Sequence, residues 1–144
     1  MTHDDAINYS AKHPSGTIIN ETIATNLKKK ISDGKISCAS AHKIANDLSV
    51  PPADVGMTID LLKFRIIKCQ IGLFGYNPQK KIVQPAVNVS PLIEEDIRKC
   101  IKSNRITCLS CWEIAKKSGI PRLDVSAACE TLKIKISSCQ LGAF

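Results

Sequence analysis

The sequence predicts a mainly α-helical protein with short β-strands, built from two tandem units that are related by internal duplication. The first observation is a repeat, because the segments that begin at Ile31 and Ile101 align without a gap. The second is apolar residues spaced four apart, which fall on one helical face. The third is a composition of 44% hydrophobic and 23% charged residues, which is typical of a globular protein. Matched identities include Cys38 with Cys108, Pro51 with Pro121, and Cys69-Gln70 with Cys139-Gln140.

The first helix of each copy is indicated by its apolar spacing. Gly34 and Asn104 follow these helices at matched positions, and both residue types tolerate the left-handed conformation common just past a helix end. In the second copy, Ser90 and Pro91 are typical of a helix start. The apolar residues in question are Ile23, Leu27 and Ile31, and then Ile93, Ile97 and Ile101.

The rest of each copy predicts a short extended stretch, two more helices and a final strand. The second helix is expected to open at Ser40 and Ser110, and Ser110 with Glu113 has the pattern of a capping box. The third helix is expected to start at Pro51 and Pro121. The extended stretches are 35–38 and 105–108, and the final strand-like runs are 66–71 and 136–141.

This organisation predicts four regions along the chain. Residues 1–20 are polar and without periodicity, and we expect a flexible tail there. The first unit then covers 21–74, a linker covers 75–90 and the second unit covers 91–144. Within the linker, residues 81–83 are a candidate return strand.

The lengths of the apolar stretches and the net charge indicate where the protein is found and what class of partner it binds. No apolar stretch is long enough to span a bilayer, and the N-terminal residues lack the apolar core of a secretory signal. A cytoplasmic protein with no membrane partner is therefore expected. The formal net charge of +7 suits a polyanionic partner, although lysines and acids are interleaved along the chain.

The order of elements, together with one local pattern, resembles the winged helix-turn-helix superfamily. The order is helix, strand, helix, tight turn, helix, strand, and the pattern is IAxxLxVPxxxV from Ile44 to Val55. This resemblance implies a tandem winged-helix protein that binds double-stranded DNA as a transcriptional regulator.

Residues that would contact DNA are mostly phosphate-binding cations. In helix-turn-helix proteins the third helix reads the bases, usually through Arg, Lys, Asn or Gln side chains. Here the third helix of the first copy carries Asp54 and Asp60, which phosphates would repel. That of the second copy carries Ser126 and Glu130 beside Arg122. The predicted DNA contacts are Lys43, Lys63, Arg65, Arg122, Lys133 and Lys135.

A non-enzymatic protein-interaction module, such as a subunit or accessory of a larger assembly, is the alternative interpretation. Acidic and apolar third helices suit a protein partner. The runs 72–74 and 141–144 would present apolar ends that a partner covers, or that pack within the protein.

The cysteines leave a further alternative open. Four of the seven recur at equivalent positions, and a cysteine-ligated metal sensor is a minority hypothesis for them. They alternate with isoleucines, so the favoured interpretation is that they are small apolar core residues. These four cysteines are Cys38, Cys69, Cys108 and Cys139.

Enzymatic function is not expected. The three histidines do not cluster, and the glycines form no phosphate-binding loop. No cofactor is expected either.

Overall fold

A computed structural model describes His13 and residues 16–144. The described chain is mainly helical with short strands, which confirms the predicted fold class. Its elements are α1 (Glu21–Lys30), β1 (Lys35–Ser37), α2 (Cys38–Leu48), α3 (Pro52–Leu61), β2 (Arg65–Ile67), α4 (Pro91–Cys100), β3 (Arg105–Thr107), α5 (Cys108–Ser118), α6 (Arg122–Thr131) and β4 (Lys135–Ser137).

The chain forms two compact units whose limits differ from the predicted domain boundaries. Unit 1 contains the residues through Cys69 together with Gln140–Phe144, and unit 2 contains Gln70–Cys139. The predicted linker over 75–90 therefore belongs to unit 2, and the last five residues belong to unit 1. Each unit has three helices and one pair of strands, in the same order and with the same lengths.

The core of each unit forms where the three helices bring their apolar faces together. Leu27 of α1 and Val55 and Ile59 of α3 are fully buried in unit 1. Ile97 of α4 and Val125 of α6 occupy the same places in unit 2.

The spacing of four placed Ile23, Leu27 and Ile97 on buried helix faces, because residues i and i+4 lie on one side of a helix. Ile93 is half-buried, and Ile31 and Ile101 follow the helices as C-caps.

The second helix of each unit begins two residues earlier than predicted. The side chain of Ser37 accepts a hydrogen bond from the Ser40 amide at 3.1 Å, and Thr107 accepts one from the Ser110 amide at the same distance. Ser37 and Thr107 are therefore the N-caps. The predicted capping box at Ser110 is wrong, since Ser110 already lies inside α5.

The strands of each unit pair in parallel, and the turn before the first strand is held against the second. Gly34 and Asn104 have φ angles of 71° and 60°, which confirms their predicted left-handed conformation. The Arg65 amide donates to the Gly34 carbonyl oxygen at 2.9 Å, and the Lys135 amide donates to that of Asn104 at 3.3 Å. Lys35 then lies opposite Arg65 in the β1–β2 pair.

The last strand of each unit is shorter than the predicted runs over 66–71 and 136–141. Residues 81–83 form no strand, so the candidate return strand is wrong. Instead, the amides of Ile82 and Val83 both donate to the Gly72 carbonyl oxygen, at 2.9 and 3.1 Å. Val83 is buried in unit 2, so this stretch contributes to the core without extending the sheet.

The chain that follows each last strand packs on a third helix. In unit 2, the Ser126 hydroxyl of α6 donates to the Ile71 carbonyl oxygen at 2.7 Å. In unit 1, Leu141 is buried, and its backbone passes so close to α3 that a Cβ on Gly56 would lie 1.8 Å from the Leu141 carbonyl oxygen. Glycine at position 56 is therefore required by space rather than by backbone conformation.

No helix formed by His13 and residues 16–144 has both the length and the apolar character needed to cross a bilayer.

Candidate nucleic-acid interface

Basic residues converge at the start of the strand pair in both units. In unit 1, Lys35 and Arg65 are direct partners across β1 and β2. In unit 2, Arg105 and Lys135 are direct partners across β3 and β4. Neighbouring strands lie about 4.8 Å apart, and partners in register place their side chains on the same face of the sheet. The cations of each pair are therefore neighbours.

The next residue along each strand shows which way these cations point. Ile36 and Ile66 are 2% and 4% exposed, so that register position faces the core. Because side chains alternate along a strand, Lys35 and Arg65 face outward. Ile106 and Ile136 are likewise buried in unit 2, which turns Arg105 and Lys135 outward.

A third cation joins each pair from the turn that precedes the second strand. Lys63 and Lys133 are exposed and have φ angles of 60° and 57°. In unit 2, the Asn104 side-chain amide donates to the Lys133 carbonyl oxygen at 3.2 Å, which fixes this turn against the turn before β3. We call Lys35, Lys63 and Arg65 the strand-start cluster of unit 1, and Arg105, Lys133 and Lys135 that of unit 2.

Several cations of these clusters have no carboxylate partner among the described residues. In the described part of the chain, Lys63, Lys133 and Lys135 form no ion pair with a carboxylate. The turn of unit 1 carries Asp33, whereas the corresponding turn of unit 2 adds Lys102 and has no acid. The unit 2 cluster is therefore the more basic of the two.

The other two predicted DNA contacts lie on different elements. Lys43 is exposed on α2, where its Nζ atom pairs with Asp47 one turn along at 3.0 Å. Arg122 is the first residue of α6, and its guanidinium lies over the ring of Trp112, 3.5 Å from the ring centroid. Of the predicted contacts, the structure thus brings together Lys63 with Arg65, and Lys133 with Lys135.

The third helices do not present the surface that base reading requires. Asp60, one of the two acids considered on the third helix of unit 1, is 4% exposed, and its carboxylate lies 2.9 Å from Nε2 of His13. Ser126, considered as a reading residue, is fully buried. Only Ala53 and Asp54 of α3 are exposed. Leu141 lies close to α3 at Gly56, and the Ile71 carbonyl oxygen accepts a hydrogen bond from Ser126 of α6.

His13 is one of the few described residues of the predicted tail over 1–20. Residues 1–12, 14 and 15 lie outside the described residues, so the prediction of a flexible tail is untested for most of its length.

The recurring cysteines belong to the core or its edge. Cys38 and Cys69 are buried in unit 1, while Cys108 is buried and Cys139 half-buried in unit 2. Cys38 and Cys108 begin α2 and α5, so they do not lie on the extended stretches where the sequence placed them. No group of three or more His, Cys, Asp or Glu side chains among the described residues is arranged to hold a metal ion.

Two further thiols meet inside unit 2. A hydrogen bond with Cys129, together with burial, raises the pKa of Cys111 well above its usual range. Cys111 is therefore a protonated thiol at neutral pH, which suits a small core residue better than a metal-binding thiolate.

Comparison with known proteins gives no further guide, since no protein family, curated protein or solved structure matches the chain.

Sequence reasoning missed Lys35 and Arg105, because their partners lie about thirty residues away and pair only through the strand register. A signal was nevertheless present. Both residues are basic at five matched positions of the two copies, and three of these positions form the clusters: Lys35 and Arg105, Lys63 and Lys133, Arg65 and Lys135.

Proposed function

We propose that this protein is a non-enzymatic DNA-binding protein that holds backbone phosphates with its two strand-start clusters. The observation that carries the proposal is the pairing of cations directly across the strands, Lys35 with Arg65 and Arg105 with Lys135. It occurs in both units at the same place in the fold.

This pairing has an energetic cost in the free protein. Like charges on neighbouring strands repel, and two unit charges about 5 Å apart interact by roughly 1 kcal/mol even in bulk water. A phosphate between them converts the repulsion into two attractions and releases condensed counterions from the DNA. The arrangement therefore favours a polyanionic partner over no partner.

The burial of the third helices supports phosphate contacts over base reading. Hydrogen bonds and ion pairs to the backbone position a protein on DNA without reading its sequence. We therefore expect binding to tolerate many sequences. A regulatory role, which the resemblance to winged helix-turn-helix proteins implies, is part of the same proposal and rests on that resemblance alone. A cytoplasmic location is also part of the proposal and rests on the apolar pattern of the sequence.

A protein-docking module is the second candidate. It is favoured by two large apolar side chains of unit 2, Val87 and Leu92, which are 95% and 72% exposed. Single exposed apolar residues are common on protein surfaces, so this observation has less weight than the doubled basic clusters.

The test of the proposal is a titration of fluorescently labelled duplex DNA with the full chain, followed by anisotropy. We expect saturable binding at about 50 mM salt that weakens at least tenfold at about 200 mM, because released counterions drive the association. An unrelated duplex of the same length should bind within a few-fold. Absence of binding at low salt would reject the DNA proposal and leave protein docking as the leading candidate.

A further inference from the structure

Unit 2 contains a groove that the DNA proposal does not use. It lies between α5 and the first turn of α6 and has a volume of about 840 Å³, which is within the range of small-molecule sites. Polar and apolar side chains share its lining, among them Gln70, Leu109, Trp112, Lys116, Arg122 and Leu123.

Arg122 is held in one position within this groove. Its guanidinium carbon lies 3.5 Å from the centroid of the Trp112 ring, and its Nη1 atom donates to the Gln70 side-chain oxygen at 3.2 Å. The ring contacts one face of the guanidinium and the amide occupies one edge. A guanidinium fixed in this way loses little conformational entropy when it binds a ligand.

Most of the hydrogen-bonding capacity of Arg122 remains for a ligand. A guanidinium has five N–H donors in a planar fork, and Gln70 accepts a hydrogen bond from one nitrogen. No carboxylate forms an ion pair with Arg122 within the described ranges. A planar carboxylate matches such a fork with two parallel hydrogen bonds.

The remaining lining selects among anions. Leu109 and Leu123 supply apolar surface, which favours a ligand with a hydrophobic body. Lys116 adds positive charge, whereas Glu113 at the same groove disfavours a ligand with several negative charges. We propose that this groove is a binding site for a small organic monocarboxylate that carries an apolar or aromatic group.

Unit 1 provides an internal comparison. In the aligned sequence, the positions of Trp112 and Arg122 are occupied by His42 and Pro52. Unit 1 therefore lacks both the aromatic platform and the guanidinium, and one site per chain is expected.

Trp112 is the single tryptophan of the chain, so its fluorescence reports on this groove directly. The probe is benzoate, with benzamide as its uncharged counterpart, and isothermal titration calorimetry provides the stoichiometry. We expect saturable binding of one benzoate per chain with a dissociation constant in the millimolar range or tighter, and benzamide at least tenfold weaker.

Two variants test whether the guanidinium is responsible. Arg122→Lys keeps the charge but loses the bidentate fork and the stacking, and we expect at least tenfold weaker benzoate binding. Arg98→Lys makes the same change on exposed α4 and should leave the affinity unchanged.

Three outcomes would overturn the proposal: no saturation by benzoate, equal binding of benzamide, or unchanged affinity in Arg122→Lys. Tighter binding of inorganic phosphate than of benzoate would also overturn it, in favour of a phosphate contact. Since the groove and the strand-start clusters share no residue, failure here leaves DNA binding untouched, and the reverse also holds.

Discussion

Replacement of Gly56 by alanine is expected to destabilise the protein by about 3 kcal/mol or more, because overpacking against backbone atoms cannot be relieved by a rotamer change. The added Cβ would lie 1.8 Å from the Leu141 carbonyl oxygen and 2.6 Å from its carbon. Either α3 or the segment 140–144 must then move, and Leu141 and the apolar face of α3 are both buried in the core of unit 1. Urea denaturation followed by circular dichroism measures the change in the free energy of unfolding.

Two companion variants test whether the close approach of Leu141 causes the destabilisation by Gly56→Ala. Gly34→Asn places in unit 1 the residue that adopts the same left-handed conformation at Asn104, so we expect a change within about 0.5 kcal/mol. In a chain that ends at Cys139, Gly56→Ala should be neutral or stabilise the protein by up to about 1 kcal/mol, since alanine favours helix. A Gly56→Ala variant of the full chain as stable as the wild type would contradict the described position of Leu141.

Removal of four strand-start cations is expected to weaken binding to duplex DNA by roughly 10²- to 10³-fold at low salt, at about 1 kcal/mol per lost charge. The variant combines Lys63→Asn, Lys133→Asn, Arg65→Gln and Lys135→Gln. Asparagine is chosen for Lys63 and Lys133 because it tolerates their positive φ angles. With six phosphate contacts reduced to two, the slope of log affinity against log salt should change from about −5 to about −2.

A second fourfold variant provides the matched control. In unit 2, four cations each pair with a carboxylate within 3.2 Å: Lys81, Arg98, Lys99 and Lys117. Their replacement by glutamine removes four positive charges, the same total as in the cluster variant. Exposed ion pairs contribute little to stability, so this protein should fold normally. DNA affinity that falls equally in both variants would show that net charge alone matters, and would reject the clusters as the site.

The elements of the fold were predictable because they depend on local patterns. Apolar residues four apart identified the buried residues Ile23 and Leu27 of α1 and Ile97 of α4. The matched Gly34 and Asn104 adopt the expected left-handed conformation, but they lie in the turn before the first strand and not at the helix ends. Helix starts were harder to place. Ser40 and Ser110 resemble N-caps in sequence, yet Ser37 and Thr107 perform that role because the strands end immediately before α2 and α5.

Long-range packing was not predictable from these patterns. The segment around Leu141 lies in unit 1, and residues 70–74 lie in unit 2, so each follows a strand of the other compact unit. Nothing in the local sequence specifies which compact unit each segment joins. Its consequence is the burial of Gly56 and Ser126, which removes the helix face that sequence reasoning considered for base reading.

Four of the six cations of the candidate site were predictable from the sequence, and the other two depend on long-range pairing. Lys63, Arg65, Lys133 and Lys135 were predicted as DNA contacts, whereas Lys35 and Arg105 join them only through the parallel register. Arg122 was recognised as a cation, but its stacking on Trp112 depends on how α5 and α6 pack, which no spacing in the sequence reveals.

Chemical-shift mapping on ¹⁵N-labelled protein titrated with duplex DNA tests most directly where DNA binds. We predict that the largest amide shifts occur in the turns and strand starts that carry the two clusters, residues 32–35 and 63–65 in unit 1 and 102–105 and 133–135 in unit 2. The amides of α3 and α6 should shift much less, because the surrounding segments cover these helices. Shifts concentrated at the starts of α3 and α6, with the strand starts unperturbed, would contradict the proposed interface and restore the third helices as the DNA-contacting elements.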